Sequence, residues 1–225
     1  MKKIICLLLA ILCTFAIVSC NQDTPDVNAP DDNQNNGAAT SELDTLIGII
    51  ESSLPTKIVT HVDYKYNDDT FKGRYTTTVD RASEKSKFDF SYQRLAIPGE
   101  DISDSHIMTI AGSVYYKDGQ VSNTEGAEWH SPGYGYLEFS LDFSETKLDN
   151  VTFANDGDDL TATISADNAI RVFGTAIDAD GDITISIDTN GEYLYSVMIS
   201  YTAKDTGAKV TVNTTYDYAK VSLDF

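Results

Sequence analysis

The sequence predicts an α+β fold, mostly antiparallel β: a curved sheet or half-barrel covered by an N-terminal amphipathic helix and a short second helix. Three observations predict it. Apolar residues from Ser41 to Leu54 recur at helical spacing. From Lys57 to Gln93, and again from Asp182 to Tyr218, they recur at every second position, the mark of strands with one covered and one wet face. Short turns rich in Asn, Asp and Gly join the runs, at Asn67-Asp68-Asp69, Lys117-Asp118-Gly119 and Asn190-Gly191. With 225 residues, 41% of them apolar, the chain can bury one core, and its 13 Tyr and 9 Phe exclude a wholly disordered polypeptide.

In chain order, the first element is an address. Met1-Lys2-Lys3 is basic, and Ile4 to Val18 is apolar over about fifteen residues, short of the roughly 20 a spanning helix needs and suited to the core of a secretory signal. The run ends in Ile17-Val18-Ser19-Cys20, which resembles the lipobox of bacterial lipoproteins. That resemblance implies a signal peptide over 1–19, diacylation of the Cys20 thiol and cleavage before it. Of the three cysteines, Cys6 and Cys13 would leave with the signal, so the body would fold without disulfide or thiol chemistry. Loss of Lys2 and Lys3 leaves 14 basic against 35 acidic residues, a net charge of −21. Such a body is repelled by anionic lipid surfaces and by nucleic-acid phosphates, so the membrane is a partner only through acyl chains, and no nucleic acid is expected. Residues 21–40, with four Asp, no Lys or Arg and Val27 as the one sizeable apolar side chain, read as a disordered tether reaching about 25 Å. The expected organisation is therefore a signal at 1–19, an acylated cysteine and linker at 20–40, and one domain at 41–225.

The first helix starts at Ser41, a cap with Asp44 three residues on, and Pro55 stops it. Leu43, Leu46, Ile47, Ile50 and Leu54 form its stripe. In the next runs Ile58, Val62, Tyr64 and Tyr66 share one face. Phe71, Tyr75 and Val79 alternate with Lys72, Arg74, Thr76 and Thr78, and Phe88, Phe90 and Tyr92 alternate with Lys87, Asp89 and Ser91. A fourth run spans Ile107 to Tyr116 and returns at Gln120 to Ser122. The middle is less regular: Leu137 to Phe143 fits a strand or a distorted helix, Val151 to Phe153 and Leu160 to Ile164 read as strands, and Ala166 to Phe173 as a short helix. A C-terminal meander follows, with Ile183, Ile185 and Ile187, then Tyr193, Tyr195, Val197, Ile199 and Tyr201, then Val210, Val212, Tyr216 and Tyr218.

This order, carried by Ser41 to Leu54, Lys57 to Gln93, Ser113 to Gly119, Ala166 to Phe173 and Asp182 to Tyr218, resembles the half-barrel fold of the LolA-like and LppX-like lipoprotein carriers. The resemblance covers nearly the whole body but rests on no invariant motif. It implies an apolar cavity for acyl chains or lipidated proteins between sheet and helix, without fixing the cargo. The residues add their own argument. Tyr64, Tyr66, Phe71, Tyr75, Phe88, Phe90 and Tyr92 make the covered face bulky, with four phenols whose tips suit a ligand-facing wall, although a face buried under the first helix accounts for the same pattern. Trp129 lies in the run Trp129 to Tyr136, rich in Gly and aromatics, which reads either as a plug over the mouth of the half-barrel or as an exposed platform.

Other chemistry finds little support. His61, His106 and His130 are far apart without a zinc spacing, and His61 falls on a polar face. Asp178 to Asp182 is acidic and punctuated by Gly181, but on the EF-hand pattern Ala176 would be the first ligand and Ile187 the bidentate one, so the match fails. Asn155 to Asp159 reads as a turn. No nucleophile elbow, phosphate loop or dinucleotide fingerprint occurs. The expectation is a non-enzymatic, lipid-anchored, extracytoplasmic protein of the cell or outer membrane, with no cofactor and no metal, binding an apolar or lipid-like ligand through the seven aromatics and Trp129. The alternatives are a glycan- or protein-binding adhesion module using Trp129, Tyr134 and Tyr136, and a structural envelope lipoprotein.

Overall fold

The computed structural model describes residues 42–95, 107–130, 151–173 and 177–225. The signal, Cys20, the tether, Leu137 to Phe143 and Tyr134 with Tyr136 lie outside them, as do His106 and the Ser41 cap. Helix α1 (Glu42–Ser52) opens the described chain and α2 (Ala166–Phe173) interrupts its second half. The strands are β1 (Lys57–Tyr66), β2 (Asp69–Asp80), β3 (Lys85–Leu95), β4 (Ile107–Lys117), β5 (Gln120–Ser122), β6 (Ala154–Asp156), β7 (Asp159–Ile164), β8 (Ile183–Asp188), β9 (Ser196–Thr202) and β10 (Lys209–Asp217). The fold is mostly antiparallel β.

All ten strands form one open sheet in the order β5-β4-β3-β2-β1-β10-β9-β8-β7-β6. Two five-stranded meanders are thus joined at a central seam where β1 pairs with β10, every neighbour antiparallel. Buried Thr60 and Thr214, 154 residues apart in sequence, share a 3.0 Å hydroxyl hydrogen bond across the seam. The outermost strands, β5 and β6, are three residues each, and β5 pairs with only Tyr115, Tyr116 and Lys117 of the eleven-residue β4.

The period of two holds across the sheet. Val62, for example, stands opposite Val212, which stands opposite Ile199, which stands opposite Ile185. One face therefore collects the apolar side chains of both meanders, and its buried cluster takes in Ile50 of α1, Ala169 of α2 and Leu194 of the β8–β9 loop. The other face carries Thr, Ser, Lys and Asp over most of its area, with His61 exposed on it. Helix α2 begins after Ser165, whose carbonyl accepts from the Asn168 and Ala169 N–H groups, with Asp167 in the first turn where a negative charge is favoured. The C-terminal end of α1 is pinned by Ser53, whose Oγ accepts from the Leu194 N–H at 2.8 Å and donates to the Ile49 carbonyl.

Several expectations are corrected. Leu54 is not part of the buried helical stripe: α1 ends at Ser52 and Leu54 is 56% exposed. Val151 to Phe153 is not a strand; pairing starts at Ala154. Asn190-Gly191 does occupy positive φ, at 44° and 78°, but not in a two-residue hairpin. Asp188 pairs with Ser196, so residues 189–195 form a loop that turns on buried Thr189 and Leu194. Tyr193 and Tyr195 consequently leave the strand face and are exposed, while Val197, Ile199 and Tyr201 stay buried on it.

Candidate functional site

The apolar face is built in two halves. On the β7–β10 side it is aliphatic and sealed: Leu160, Ile183, Ile187, Ile199, Val210 and Val212 are each at most 3% exposed. On the β1–β3 side it is aromatic. Tyr64 meets Phe71 edge-on at 6.2 Å across the β1–β2 pair. Tyr75 stacks on Phe88 at 6.3 Å, and Phe88, Phe90 and Tyr92 continue along β3 at 6.0 and 6.3 Å. Tyr75 is buried, whereas Tyr64, Phe71, Phe88, Phe90 and Tyr92 are only half-buried, and Tyr66, beside the β1–β2 turn, is 40% exposed.

The rings lie down because glycines make room. A Cβ on Gly73 would stand 2.9 Å from the Tyr75 ring on the same strand, and one on Gly112 of β4 would stand 2.7 Å from the tip of the Phe90 ring opposite it. Each ring covers bare backbone, so the sheet presents flat aromatic plates where other strands present aliphatic side chains.

Phenol groups rim one end of this surface. The Tyr64 hydroxyl donates to Thr206 Oγ1 at 2.7 Å, tying the wall to the β9–β10 turn. Tyr64 of β1 and Tyr201 of β9 both stand opposite Val210 of β10, on the two sides of that strand. Burial, with Tyr92 beside it, pushes the Tyr75 hydroxyl up to about 12. Burial likewise raises Tyr64, where the Thr206 hydrogen bond opposes it, and Tyr201. These phenols are neutral hydrogen-bonding groups, not general bases at neutral pH.

Of the eight residues expected to line one site, the structure assembles seven on one face and places Trp129 on the other. Trp129 stacks on Phe225 at 5.9 Å, Phe225 meets Tyr115 edge-on at 5.0 Å, and the ammonium groups of Lys117, Lys85 and Lys87 sit over Trp129, Phe225 and Tyr115. Tyr115 pairs with Lys87, and Lys87 bridges Asp89 on the same face at 3.1 Å, which fixes this cluster behind Phe88 and Phe90. The segment that carries Phe225 is latched there. The Leu223 N–H donates to Asp80 Oδ2 at 3.1 Å and Lys85 Nζ donates to the Leu223 carbonyl at 3.0 Å. Asp80, which also accepts from the Ser83 hydroxyl, is held below the usual carboxylate range, by that bond first and by the backbone N–H groups it accepts.

The sequence reading missed this latch, because Val221, Leu223 and Phe225 follow the last strand with no partner visible in the local pattern. The signal available was Lys85, Lys87 and Lys117 at matching positions of neighbouring strands in an otherwise acidic chain. Among the described residues, no group of three or more His, Cys, Asp or Glu is placed to hold a metal ion, and no helix is long and apolar enough to cross a membrane.

No protein-family model matches the chain, and no curated protein sequence matches it. Among solved structures it is similar to an inactive mutant of the CurK dehydratase, at 8% identity over 79% of this chain and 78% of that one, with a TM-score of 0.18. A likeness of that size carries no argument about fold or activity.

Proposed function

We propose that this chain is a lipid-anchored, extracytoplasmic cell-envelope protein without enzymatic activity that takes up an apolar or lipid-like ligand on the aromatic half of its sheet. The observation that carries the reading is the contrast within one face: the aliphatic half is closed to solvent, while Tyr64, Phe71, Phe88, Phe90 and Tyr92 stay half-exposed on a surface continuous with the core. Partly exposed apolar area of this kind on a framework of paired strands is the usual setting of a binding site.

The finer architecture belongs to the same proposal: a sheet curved into a half-barrel of the LolA-like and LppX-like kind, roofed by α1 and α2. Ile50 and Ala169, which bring both helices into the buried cluster, support it. The lipobox-like run ending at Cys20 supports the anchor, with 1–19 as signal, 20–40 as acylated cysteine and tether, and 41–225 as the binding domain.

Two measurements test it. Metabolic labelling with palmitate is expected to mark the chain and to leave Cys20→Ser unmarked. The mature body, residues 21–225, is expected to take up a fluorescent fatty acid, and Phe90→Asp to abolish uptake while circular dichroism retains the strand signal. Uptake unchanged in Phe90→Asp overturns the binding reading, and an unmarked wild-type chain overturns the anchor.

A further inference from the structure

The sheet has one long margin that its own strands do not close. The Asp118-Gly119 turn, with φ of 51° and 70°, is a two-residue hairpin, so Lys117 and Gln120 close it by exchanging both backbone hydrogen bonds. Every second residue back along β4 turns its N–H and C=O the same way, away from β3: Tyr115, then Ser113, Ala111 and Thr109. β5 meets Tyr115 and stops at Ser122, and on its far side Val121 bonds His130. Thr109, Ala111 and Ser113 face no further strand among the described residues, and Thr109 and Ala111 are exposed.

Edges of this kind are usually blunted by charge or proline. β4 has no proline and no charge before Lys117. Its setting in the charge distribution matters as much: from Lys57 to Ser122 the sequence has nine Lys or Arg against ten Asp or Glu, and from Ala154 to Asp217 it has three against eleven. β4 thus borders the near-neutral half. The acidic half begins at β10, four strands away, about 19 Å at roughly 4.8 Å per strand and beyond a Debye length of about 8 Å. Two copies that meet at β4 keep their acidic halves at opposite ends, which removes the repulsion that a chain of net charge −19 otherwise sets against self-association.

We infer that β4 pairs antiparallel with β4 of a second copy, about a two-fold axis at Ile110, so that two chains share one sheet. β5 sets the register, because it blocks the margin beyond Ser113. Thr109 then stands opposite Ala111 of the second copy, Met108 opposite Gly112, and Ile110 opposite Ile110, and no like charges are opposed. Ile110, Gly112 and Val114 stand opposite Tyr92, Phe90 and Phe88, on the apolar face. The axis is perpendicular to the sheet, so the apolar faces of both copies lie on one side, and Met108 of one copy comes beside the Phe90 ring tip that covers Gly112 of the other. The pairing holds with or without a ligand on the aromatic face.

The test uses the full chain. On the axis the two Ile110 Cα atoms lie about 4.5 Å apart, within the roughly 4.4–6.8 Å that a disulfide spans. On oxidation in intact cells, Ile110→Cys is expected to give a dimer whose bridge maps to 110–110, and Thr184→Cys, exposed on β8, to give no 184–184 bridge. By native mass spectrometry in detergent, the wild-type chain is expected to show a dimer. Ile110→Lys and Ile110→Glu should each lose it, since like charges then meet on the axis, and their equimolar mixture should regain it. The β4 assignment is overturned if the 110–110 bridge is no more abundant than the 184–184 bridge, if dimers persist in both charged variants, or if the mixture stays monomeric with the strand signal in circular dichroism intact. Where a charged variant loses that signal, the cysteine pair decides. A monomeric wild-type chain overturns the second copy as the occupant and leaves the edge to an extended segment of another protein.

Discussion

The two halves of the apolar face use the same strand geometry and reach different ends. On β7 to β10 the inward positions are mostly branched aliphatics that interlock, joined by Ala162, Tyr201, Thr214 and Tyr216, and Ile183 and Leu160 have no exposure at all. On β1 to β3 the inward positions hold rings, and the rings lie over Gly73 and Gly112 in place of interlocking with neighbours. Aliphatic side chains close a surface by packing into one another, whereas of the rings on the aromatic half only Tyr75, over Gly73, is buried, and Phe90, over Gly112, keeps part of its surface exposed. The difference separates a region closed to solvent from one that keeps aromatic surface exposed, the surface on which the proposed binding would take place.

The largest expected effect that tests this comparison comes from truncation. Ile187→Ala should destabilise the body by about 2–5 kcal/mol, and Phe90→Ala, whose ring is only half-buried, by about 1.5–2.5 kcal/mol, both read from urea unfolding midpoints. Equal losses would break the comparison, because they would make the aromatic half ordinary core.

Alkaline titration comes next. The folded chain holds the Tyr75 proton up to about 12 against an ordinary 10.0, and Tyr201 and Tyr216 are raised by burial as well. Raised folded values mean that stability is complete below pH 10 and is lost as pH climbs towards 12. The melting temperature should be level from pH 7 to 9 and fall above 10. Tyr75→Phe should fall less steeply, which sharpens how much of the drop belongs to the aromatic half.

A smaller effect is expected behind the wall. Phe225→Ala removes the ring stacked on Trp129, the one tryptophan in the chain, so its emission should shift to the red with a loss of about 1 kcal/mol. An unshifted spectrum would show that the latch leaves Trp129 as it was. The smallest is Gly112→Ala: the added methyl must push the tip of the Phe90 ring aside, at a cost of about 1 kcal/mol, with fatty-acid uptake reduced more than stability.

Much of this fold was legible in the chain. The period of two in Lys57 to Gln93, and in Ile183 to Tyr218 apart from Tyr193 and Tyr195, identified the inward face, and Ala166 to Phe173 was found at its observed bounds because its polar and apolar residues separate cleanly. The failures have physical causes. Leu54 continues the spacing of α1 but follows the residue at which the helix ends, so its face is no longer set by that period. Asn190-Gly191 is a strong hairpin signal that was overridden by Thr189 and Leu194, whose burial holds a longer loop in place. The seven wall aromatics shared a face because alternation fixes faces. Trp129 could not be placed, since nothing local tells a loop aromatic which side of a sheet it will reach. The unpartnered oxygen of Tyr201 was hidden for another reason: its position on the face is readable, but whether a phenol oxygen finds a partner depends on atoms brought from elsewhere.

The seam between β1 and β10 governs how such a chain can be made. The first strand to emerge finds its partner on one flank at once and waits some 150 residues for the other, so the middle of the sheet is the last place to be completed. A premature stop before codon 209 would leave the ten-residue β1 with an unpaired, hydrogen-bonding margin in place of a protected centre. Such a fragment should be lost to proteases or aggregation, not persist as a weaker version of the whole.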